Sequence, residues 1–384
     1  MFKRTVIAAS LVAASLASAQ SMAAVVGGGA TLPEYLYNGN PSTGFEGILP
    51  SGFSYTGVGS GGGKTAFLTN APASIGQAAG TNVDFAGSDS VLSTSELSTY
   101  TANHGNDWGN LIQVPAVGTT VTIPFKKAGL NSLTLTASQL CGVFSGTTST
   151  WGQLLGSADT TPIKVVYRSG SSGTTELLAR FLNDSCPAAF SVSSTFTSAN
   201  VGAEPATWVA AATSQAVVDA VEASDGTIGY VSPDFVDVWD AGKVASVKKL
   251  ASGTAQLPTP DQAQAALASA AAPTGDDRLL PAKWAVTFGS GATDKAVPTS
   301  GYPIVGYTNL LVGQCYSNAA DAADIRGFLN DLYSGTHNDL IEAHSFIPVP
   351  AAFAAEVKKA FLDNSYNQGT DIQNASVCTG IGRS

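Results

Sequence analysis

Three stretches rich in glycine and hydroxyl side chains have residue types suited to binding an oxyanion. They are 27-GGGATLPEYLY-37, 57-GVGSGGGKTAFL-68 and 168-RSGSSGTTELL-178. Each stands where a strand or loop is expected to enter a helix. The free N–H groups of a first helical turn and the positive end of the helix dipole attract anions. We therefore predict one anion site built from three loop-to-helix junctions.

The second stretch looks like a nucleotide phosphate loop, but its spacing does not fit one. In the pattern G-x-x-x-x-G-K-[ST], Gly63 and Lys64 require a glycine where this chain has Val58. The looser G-x-G-x-x-G matches positions 57–62, which is weak support in a chain with 41 glycines. Ser60 is the predicted ligand contact, and Lys64 is predicted to be a solvated or dipole-neutral side chain of the following helix.

The first stretch has two interpretations. Thr31-x-x-Glu34 with Pro33 in the first turn is a helix-start signal, in which Thr31 caps the helix. Alternatively, Thr31 contacts a ligand. For Thr31 taken alone, the capping interpretation is favoured because capping is so common.

In the third stretch, an arginine stands immediately before the helix start. Arg168 ends a predicted strand, and Ser172, Gly173 and Thr174 begin the next helix. The planar donor fork of arginine suits phosphate, and the hydroxyl and N–H groups would complete a cradle. A surface ion pair beside a serine cap explains the same residues equally well.

The stretch 83-VDFAGSDS-90 offers two carboxylates, Asp84 and Asp89, in place of donors. A carboxylate near an anion costs free energy unless the anion brings a proton to share. Phosphate carries one at neutral pH, and fully ionised sulfate does not, so such a carboxylate would select a protonated oxyanion. Asp89 is the predicted acceptor, and Asp84 is predicted to be a structural residue at the strand end.

The N-terminus has the features of a cleaved secretory signal. Lys3 and Arg4 precede an apolar run over 6–17 and then small residues, which predicts a mature chain starting near Ala24, although cleavage after Ala19 also fits. No cysteine lies near either site, so we expect no lipid anchor. No later segment has 18 uninterrupted apolar residues, so we expect no membrane span.

The net charge argues against nucleic acid or an acidic membrane as a partner. It is −10, and loss of Lys3 and Arg4 with the signal makes it −12. An acidic protein must bind an anion with local dipoles and a few placed groups. The length of 384 residues favours two or three domains.

Four cysteines in an exported chain predict disulfides. Three pairings are possible, and we favour Cys141–Cys186 with Cys315–Cys378 because each then closes a loop within one region. Zinc is a poor alternative, since no pair has metal-ligand spacing and the three histidines are far from any cysteine in sequence. We predict no metal site and no cofactor.

The elements that must position these residues indicate a mixed α/β protein. Strands are predicted over 53–59, 83–88, 121–125, 163–168 and 227–232. Helices are predicted over 174–183 and 260–272, and Ser93 with Glu96 forms a capping-box signature before another. The surroundings from about 244 to 300 are predicted to be a surface excursion.

Together, these stretches resemble the periplasmic phosphate-binding proteins of phosphate ABC transporters. GGGATLP, GVGSGGGK, VDFAGSD and RSGSSGTTE occur in the order of that family, followed by 226-GTIGYVSPDF-235 and 302-YPIVGYTNLL-311. The match is closest to the DING proteins, although 24-AVVG-27 stands in place of the name-giving Asp-Ile-Asn-Gly. The resemblance covers essentially the whole mature chain and includes two disulfides in the pairing favoured above.

The resemblance implies an α/β, two-lobed periplasmic-binding-protein clamp of type II-like topology with two hinge crossings. The crossings would lie near Pro115 to Thr120 and near Ser300 to Pro303. Residues 1–23 would be the signal peptide, 24–117 plus 302–384 lobe one, and 118–301 lobe two.

The resemblance also implies a ligand set split between the lobes. Asp89 would accept the phosphate proton, and Arg168 would supply the charged clamp. Hydroxyl and N–H groups would complete the site, and they come from Thr31, Leu32, Ser60, Ser172, Gly173 and Thr174.

Two functions fit these residues. The first is capture of inorganic phosphate for phosphate acquisition by a periplasmic or secreted monomer, with a phosphate ABC permease as its expected partner. The alternative is a low-molecular-weight alkaline phosphatase acting on phosphate monoesters or diesters, with Ser172 as nucleophile, Arg168 stabilising the phosphoryl group and Asp89 as base. An adhesion or structural protein would leave the ordered motifs unexplained.

Overall fold

A computed structural model describes residues 25–249, 253–288 and 296–384 of the chain. The predicted signal peptide, residues 1–23, lies outside the described residues. Within these three ranges, no helix has both the length and the apolar character needed to cross a membrane.

The described chain alternates strands and helices. The strands are β1 (Val25–Gly29), β2 (Phe53–Gly57), β3 (Phe85–Ser88), β4 (Leu111–Thr120), β5 (Phe125–Lys126), β6 (Thr134–Thr136), β7 (Lys164–Arg168), β8 (Val209–Ala211), β9 (Thr227–Gly229), β10 (Ser246–Lys248), β11 (Val305–Gly313) and β12 (Ile347–Pro348). The helices are α1 (Glu34–Asn38), α2 (Ser60–Thr69), α3 (Thr94–Trp108), α4 (Ala137–Phe144), α5 (Trp151–Leu155), α6 (Gly173–Ser185), α7 (Phe196–Ala199), α8 (Ser214–Ala223), α9 (Pro260–Leu267), α10 (Ala319–Ser334), α11 (Asn338–Ala343) and α12 (Ala351–Val357). Short 3₁₀ turns lie at Pro72–Ile75, Pro233–Phe235, Gly275–Leu279 and Pro281–Trp284, and a π-helical turn, Lys358–Leu362, follows α12.

A six-stranded sheet with the order β12-β4-β11-β3-β1-β2 forms lobe one. β1 is parallel to both β2 and β3, whereas β11 is antiparallel to β3 and β4. Because parallel strands end at the same edge of a sheet, the segments that follow β1, β2 and β3 emerge side by side. This topology brings Thr31, Ser60 and Asp89 to one edge.

A four-stranded sheet with the order β5-β9-β7-β8 forms the centre of lobe two, and a two-stranded sheet of β10 and β6 accompanies it. β7 is parallel to both neighbours. Its last residue, Arg168, therefore lies at the carboxyl edge of this sheet, directly before α6. The architecture is the mixed α/β, two-lobed clamp that the sequence predicts.

The chain leaves the six-stranded sheet after Thr120 and returns to it at Val305, where the two residues pair. The lobe boundaries at 117/118 and 301/302, and the hinge positions near them, stay predictions.

Both predicted disulfides are present. Cys141 on α4 is bonded to Cys186, the residue that ends α6, and Cys315 after β11 is bonded to Cys378. Each bridge closes its loop within one region, so the favoured pairing is confirmed.

The predicted strand over 121–125 is mostly wrong. Only Phe125–Lys126 forms a ladder, and Thr122 makes a single bridge with Val231. This segment passes from one sheet to the other, and its β-branched residues are buried without a partner strand along their length. Burial between two sheets produces the same apolar pattern as a strand.

The predicted surface excursion over 244–300 is also wrong for the residues described there. Leu267, Trp284 and Phe288 are buried, and α9 contacts β4, β11 and β12. The Trp284 ring packs against Phe353 of α12. Small alanines and isolated aromatic anchors hide this packing from sequence patterns. Residues 250–252 and 289–295 lie outside the described residues.

Candidate anion-binding site

Ser60, the first residue of α2, connects the two lobes. Its Oγ accepts hydrogen bonds from the Asp89 N–H at 3.1 Å and from the Gly173 N–H of lobe two at 3.1 Å. The preceding Gly59 has φ of +89°, a conformation that favours glycine, and this turn aims the helix start at lobe two. The structure therefore places Ser60, the predicted ligand contact, where the two lobes meet.

Lys64 points away from this contact. Its Nζ lies 3.0 Å from Glu96 Oε1, in a partly buried ion pair between α2 and the start of α3. The prediction of a solvated side chain is wrong, because this ion pair leaves the Lys64 side chain only 13% exposed. Glu96 also accepts from the Ser93 N–H at 2.8 Å and so completes the capping box beside Lys64. The capping box itself is confirmed.

Thr31 contacts lobe two and does not cap α1. The helix begins at Glu34 with no side-chain cap, so the capping interpretation is wrong. Thr31 Oγ1 accepts from Arg168 Nη1 at 2.8 Å and lies 3.0 Å from Ser214 Oγ. The next residue, Leu32, accepts from Ser232 Oγ through its carbonyl at 3.1 Å. The first loop is therefore fastened to lobe two by both residues.

Asp89 directly follows β3 and is buried at the same contact. Its Oδ2 lies 3.5 Å from Ser60 Oγ, and its Oδ1 has no partner among the described residues. Burial raises the pKa of Asp89 to about 7, although the Thr308 hydroxyl, the Arg168 charge and Ser60 oppose the rise. At neutral pH this carboxyl is therefore poised between proton acceptor and proton donor.

Asp84 has the structural role predicted for it. Its Oδ2 accepts from the Val26 N–H at 2.8 Å, which ties the beginning of β3 to β1. Burial raises the pKa of Asp84 to about 7 as well.

Arg168 is buried at the end of β7 and reaches across the lobe junction. Besides Thr31, its Nη1 donates to Ser172 Oγ at 3.3 Å. The Arg168 N–H donates to Tyr230 Oη at 3.0 Å, and that hydroxyl lies 2.7 Å from Thr175 Oγ1. Arg168 is therefore held at its guanidinium group and at its backbone N–H. Because the residue is buried, the surface ion-pair interpretation is wrong.

The first turn of α6 presents donors at the same place. Ser172 caps the helix and accepts from the Thr175 N–H at 3.4 Å. Gly173 lies so close to lobe one that a Cβ there would overlap the Asp89 side chain and come within 2.7 Å of Ser60 Oγ. Thr174 is buried, and its hydroxyl has no partner in the described part of the chain.

The structure thus brings all eight predicted site residues to the junction of the lobes. Sequence reasoning missed four hydroxyl residues that support them, namely Ser214, Tyr230, Ser232 and Thr308. Tyr230 and Ser232 lie in the quoted stretch 226-GTIGYVSPDF-235, but no local signal distinguishes their side chains from ordinary strand residues.

The arrangement can bind an oxyanion that carries a proton. One buried cation, several hydroxyls and the N–H groups of two helix starts are donors, and one carboxylate is an acceptor. Asp89 Oδ1, Arg168 Nε and Thr174 Oγ1 are buried without partners among the described residues, so each retains hydrogen-bonding capacity. In residues 25–249, 253–288 and 296–384, no group of three or more His, Cys, Asp or Glu side chains is arranged to hold a metal ion.

Comparison with known proteins agrees with this geometry. Residues 17–333 match the model of the PBP superfamily domain. Alkaline phosphatase L of Pseudomonas aeruginosa (strain PAO1) is 47% identical over the full length of both chains. A phosphate-binding protein from an unknown prokaryotic organism is 42% identical over 93% of this chain and 99% of its own.

A solved structure extends the similarity to three dimensions. It is the high-affinity periplasmic phosphate-binding protein PfluDING bound with phosphate, which is 45% identical, with a TM-score of 0.86 over 94% of this chain and 99% of that chain. The chain therefore belongs to the PBP superfamily and, within it, to the family of the DING and phosphate-binding proteins.

Proposed function

We propose that this chain captures inorganic phosphate reversibly and serves phosphate acquisition. The observation that carries the proposal is the buried contact of Arg168 and Thr31 across the lobe junction, with the acceptor Asp89 beside it. The phosphate-bound structure of a relative at 45% identity supports the same ligand.

The proposed role of each residue rests on its charge and its hydrogen-bonding groups. Arg168 supplies the buried positive charge, and the Thr31, Ser60, Ser172 and Thr174 hydroxyls supply donors. N–H groups of Leu32, Gly173 and the first turn of α6 add to them. Because the donors belong to both lobes, one anion between them would bridge the lobes and stabilise closure.

Asp89 would discriminate between phosphate and sulfate. When ionised, it accepts a proton that phosphate carries and sulfate lacks, so it attracts one ligand and repels the other. Since burial raises its pKa to about 7, this acceptor is half ionised near neutral pH in the ligand-free protein. Phosphate affinity should therefore fall as the pH drops below 7.

Calorimetric titration of the ligand-stripped full mature chain with phosphate tests the proposal. We expect saturable binding at one site, with sulfate competing poorly at pH 8. Absence of phosphate binding by folded protein would refute the function.

A second function, hydrolysis of phosphate esters, is favoured by the relatives that carry the name alkaline phosphatase L. Ser172 would be the nucleophile and Arg168 would stabilise the phosphoryl group. All three histidines lie in the described part of the chain, and none of them hydrogen-bonds to Ser172. His344 pairs with Asp234 at 2.9 Å, and His104 stacks on Trp108. Binding is therefore the main proposal.

One preparation separates the two functions. The homogeneous protein, Ser172→Ala and Arg168→Ala are each assayed for phosphate binding and for aryl phosphate hydrolysis. Hydrolysis that disappears with both changes supports the enzyme. Hydrolysis that both variants retain belongs to another site or a contaminant.

The proposed location is the periplasm or the exterior, reached after cleavage of the signal peptide. A phosphate ABC permease is the proposed partner, and the monomer is the proposed state. Mass measurement of the protein from cell fractions and medium would identify the N-terminus and the compartment together.

A further inference from the structure

Three buried oxygen atoms of lobe one have no hydrogen-bond partner among the described residues. They are Asp89 Oδ1, Thr308 Oγ1 and Tyr37 Oη. Their residues are only 4%, 0% and 1% exposed, respectively. An unpaired buried polar group costs about 1–3 kcal/mol, so three together require an explanation.

Strand register places Thr308 beside Asp89. In the antiparallel pair of β11 and β3, Asn309 pairs with Ser88, so Thr308 stands opposite Asp89 one step further along. The pairing of β11 with β4 shifts between Thr308 and Asn309, opposite Pro115, which has no N–H to donate. Such bulges re-aim side chains, and this one lies at the proposed site.

Tyr37 of α1 belongs to the same group. Its ring packs edge-on against Tyr55 of β2. Burial raises the pKa of Tyr37, the Asp89 charge raises it further, and the Thr308 hydroxyl opposes both effects. The Thr308 hydroxyl thus lowers the pKa of both Tyr37 and Asp89, although it completes no hydrogen bond of good geometry with either in this structure.

We propose that Thr308 and Tyr37 determine the ligand preference of the site through a hydroxyl chain to Asp89. In this chain, the Tyr37 hydroxyl donates to Thr308 Oγ1, and the Thr308 hydroxyl donates to the carboxylate. Tyr37 acts as a donor, Thr308 as both donor and acceptor, and Asp89 as an acceptor, so each group finds a hydrogen-bond partner. A hydroxyl donor favours the ionised carboxylate, so Asp89 remains the proton acceptor that phosphate needs. This inference rests on the proposed phosphate-binding function.

The charged and titratable groups facing Asp89 come from four other elements. Arg168 of β7 favours the ionised carboxylate, and Glu176 of α6 disfavours it. Tyr37 of α1 and Tyr55 of β2 are phenols whose pKa values burial raises, so they stay neutral near pH 7. Thr308 of β11 and Ser60 of α2 are the uncharged lobe-one donors that oppose the effect of burial, and Thr308 has the larger effect.

The test compares Thr308→Val with wild type by calorimetry, using phosphate and sulfate between pH 5 and 9. Valine keeps the shape and removes the donor. We expect the acid limb of phosphate affinity to move up by about one pH unit, with about tenfold weaker binding at pH 7. Sulfate should bind more tightly at pH 7, because a protonated Asp89 becomes a donor. Tyr37→Phe should move the limb in the same direction by less.

Thr308→Ser is the rescue variant and should restore both the pH profile and the phosphate preference. Tyr333→Phe is the matched control, because it removes another buried hydroxyl, which donates to the Pro115 carbonyl, and should leave the profile unchanged. Folded Thr308→Val and Tyr37→Phe proteins with the wild-type profile and phosphate-to-sulfate ratio would overturn the inference. A wild-type protein that binds no phosphate would instead overturn the proposed function.

Discussion

The two faces of the lobe junction carry opposite chemistry. The lobe-one face presents hydroxyls and the carboxyl of Asp89, whereas the lobe-two face presents Arg168 and the start of α6. In the proposed function, the charge that attracts the anion and the acceptor that selects among anions therefore lie on different lobes. Mutations in lobe two should therefore change mainly the affinity for phosphate, whereas mutations in lobe one should change mainly the selectivity between phosphate and sulfate.

The largest expected effect comes from removing the charge of lobe two. Arg168→Ala should weaken phosphate binding by about a hundredfold to several thousandfold, because loss of one partner of a buried ion pair costs about 3–5 kcal/mol. Titration calorimetry measures the change. Lys164→Ala is the control, since it removes a partly exposed cation at the opposite end of the same strand, β7. Equal losses in the two variants would contradict the role of Arg168.

The second-largest effect is expected from a substitution that prevents the two faces from approaching closely. In Gly173→Ala, the new methyl group would overlap the Asp89 side chain and so hold the lobes apart. We expect about a hundredfold weaker phosphate binding, since misplaced donors lose much of their value. Small-angle scattering with saturating phosphate should show a more open protein than wild type. Gly170→Ala, where a Cβ meets nothing within 4 Å, should bind normally.

Selectivity between phosphate and sulfate should depend on Asp89 of lobe one. Asp89→Asn should lower the phosphate-to-sulfate preference about ten- to hundredfold at pH 8, because the repulsion of sulfate is lost. Competition titrations measure the ratio. If the ratio stays at the wild-type value, Asp89 does not discriminate between the two anions.

The same substitution has an effect on stability with a defined sign. Because burial raises the pKa of Asp89 to about 7, its contribution to stability is fully present below pH 4 and is lost as the pH rises through 7. Ligand-free Asp89→Asn should therefore be more stable than wild type at pH 8, by about 4 kcal/mol, and similar near pH 4. Some dependence on pH should persist from Asp84.

The smallest expected effect on phosphate affinity distinguishes Ser60 from Lys64, which both lie on α2. Ser60→Ala should weaken phosphate binding about tenfold, because it removes a hydroxyl at the lobe contact. Lys64→Ala should leave affinity within about twofold, because its charge is paired with Glu96. A larger loss in Lys64→Ala than in Ser60→Ala would reverse the assignment within this stretch.

The loop-to-helix junctions were predictable because their signals are local. Gly59, Ser60 and Ser172 combine conformational freedom with capping or donor groups over a few residues. The order of several such stretches also sufficed to indicate the family and its clamp fold.

The two long central strands were not predicted as strands. β4 contains Pro115 and Gly118, and β11 is buried on both faces, so neither shows the alternation of a half-buried strand. The same reason hid Thr308, because its nearness to Asp89 depends on the register between strands more than 200 positions apart in sequence. The contacts of Lys64 and Thr31 likewise depend on tertiary neighbours rather than on local sequence.

The Cys141–Cys186 bridge has a mechanical consequence. It ties the last turn of α6 to α4, while the first turn of the same helix holds Ser172, Gly173 and Thr174. In the proposed function, the bridge would fix the far end of α6 while the first turn binds phosphate. Reduction of this disulfide should then loosen α6 and speed phosphate dissociation, although it changes none of the proposed ligand groups.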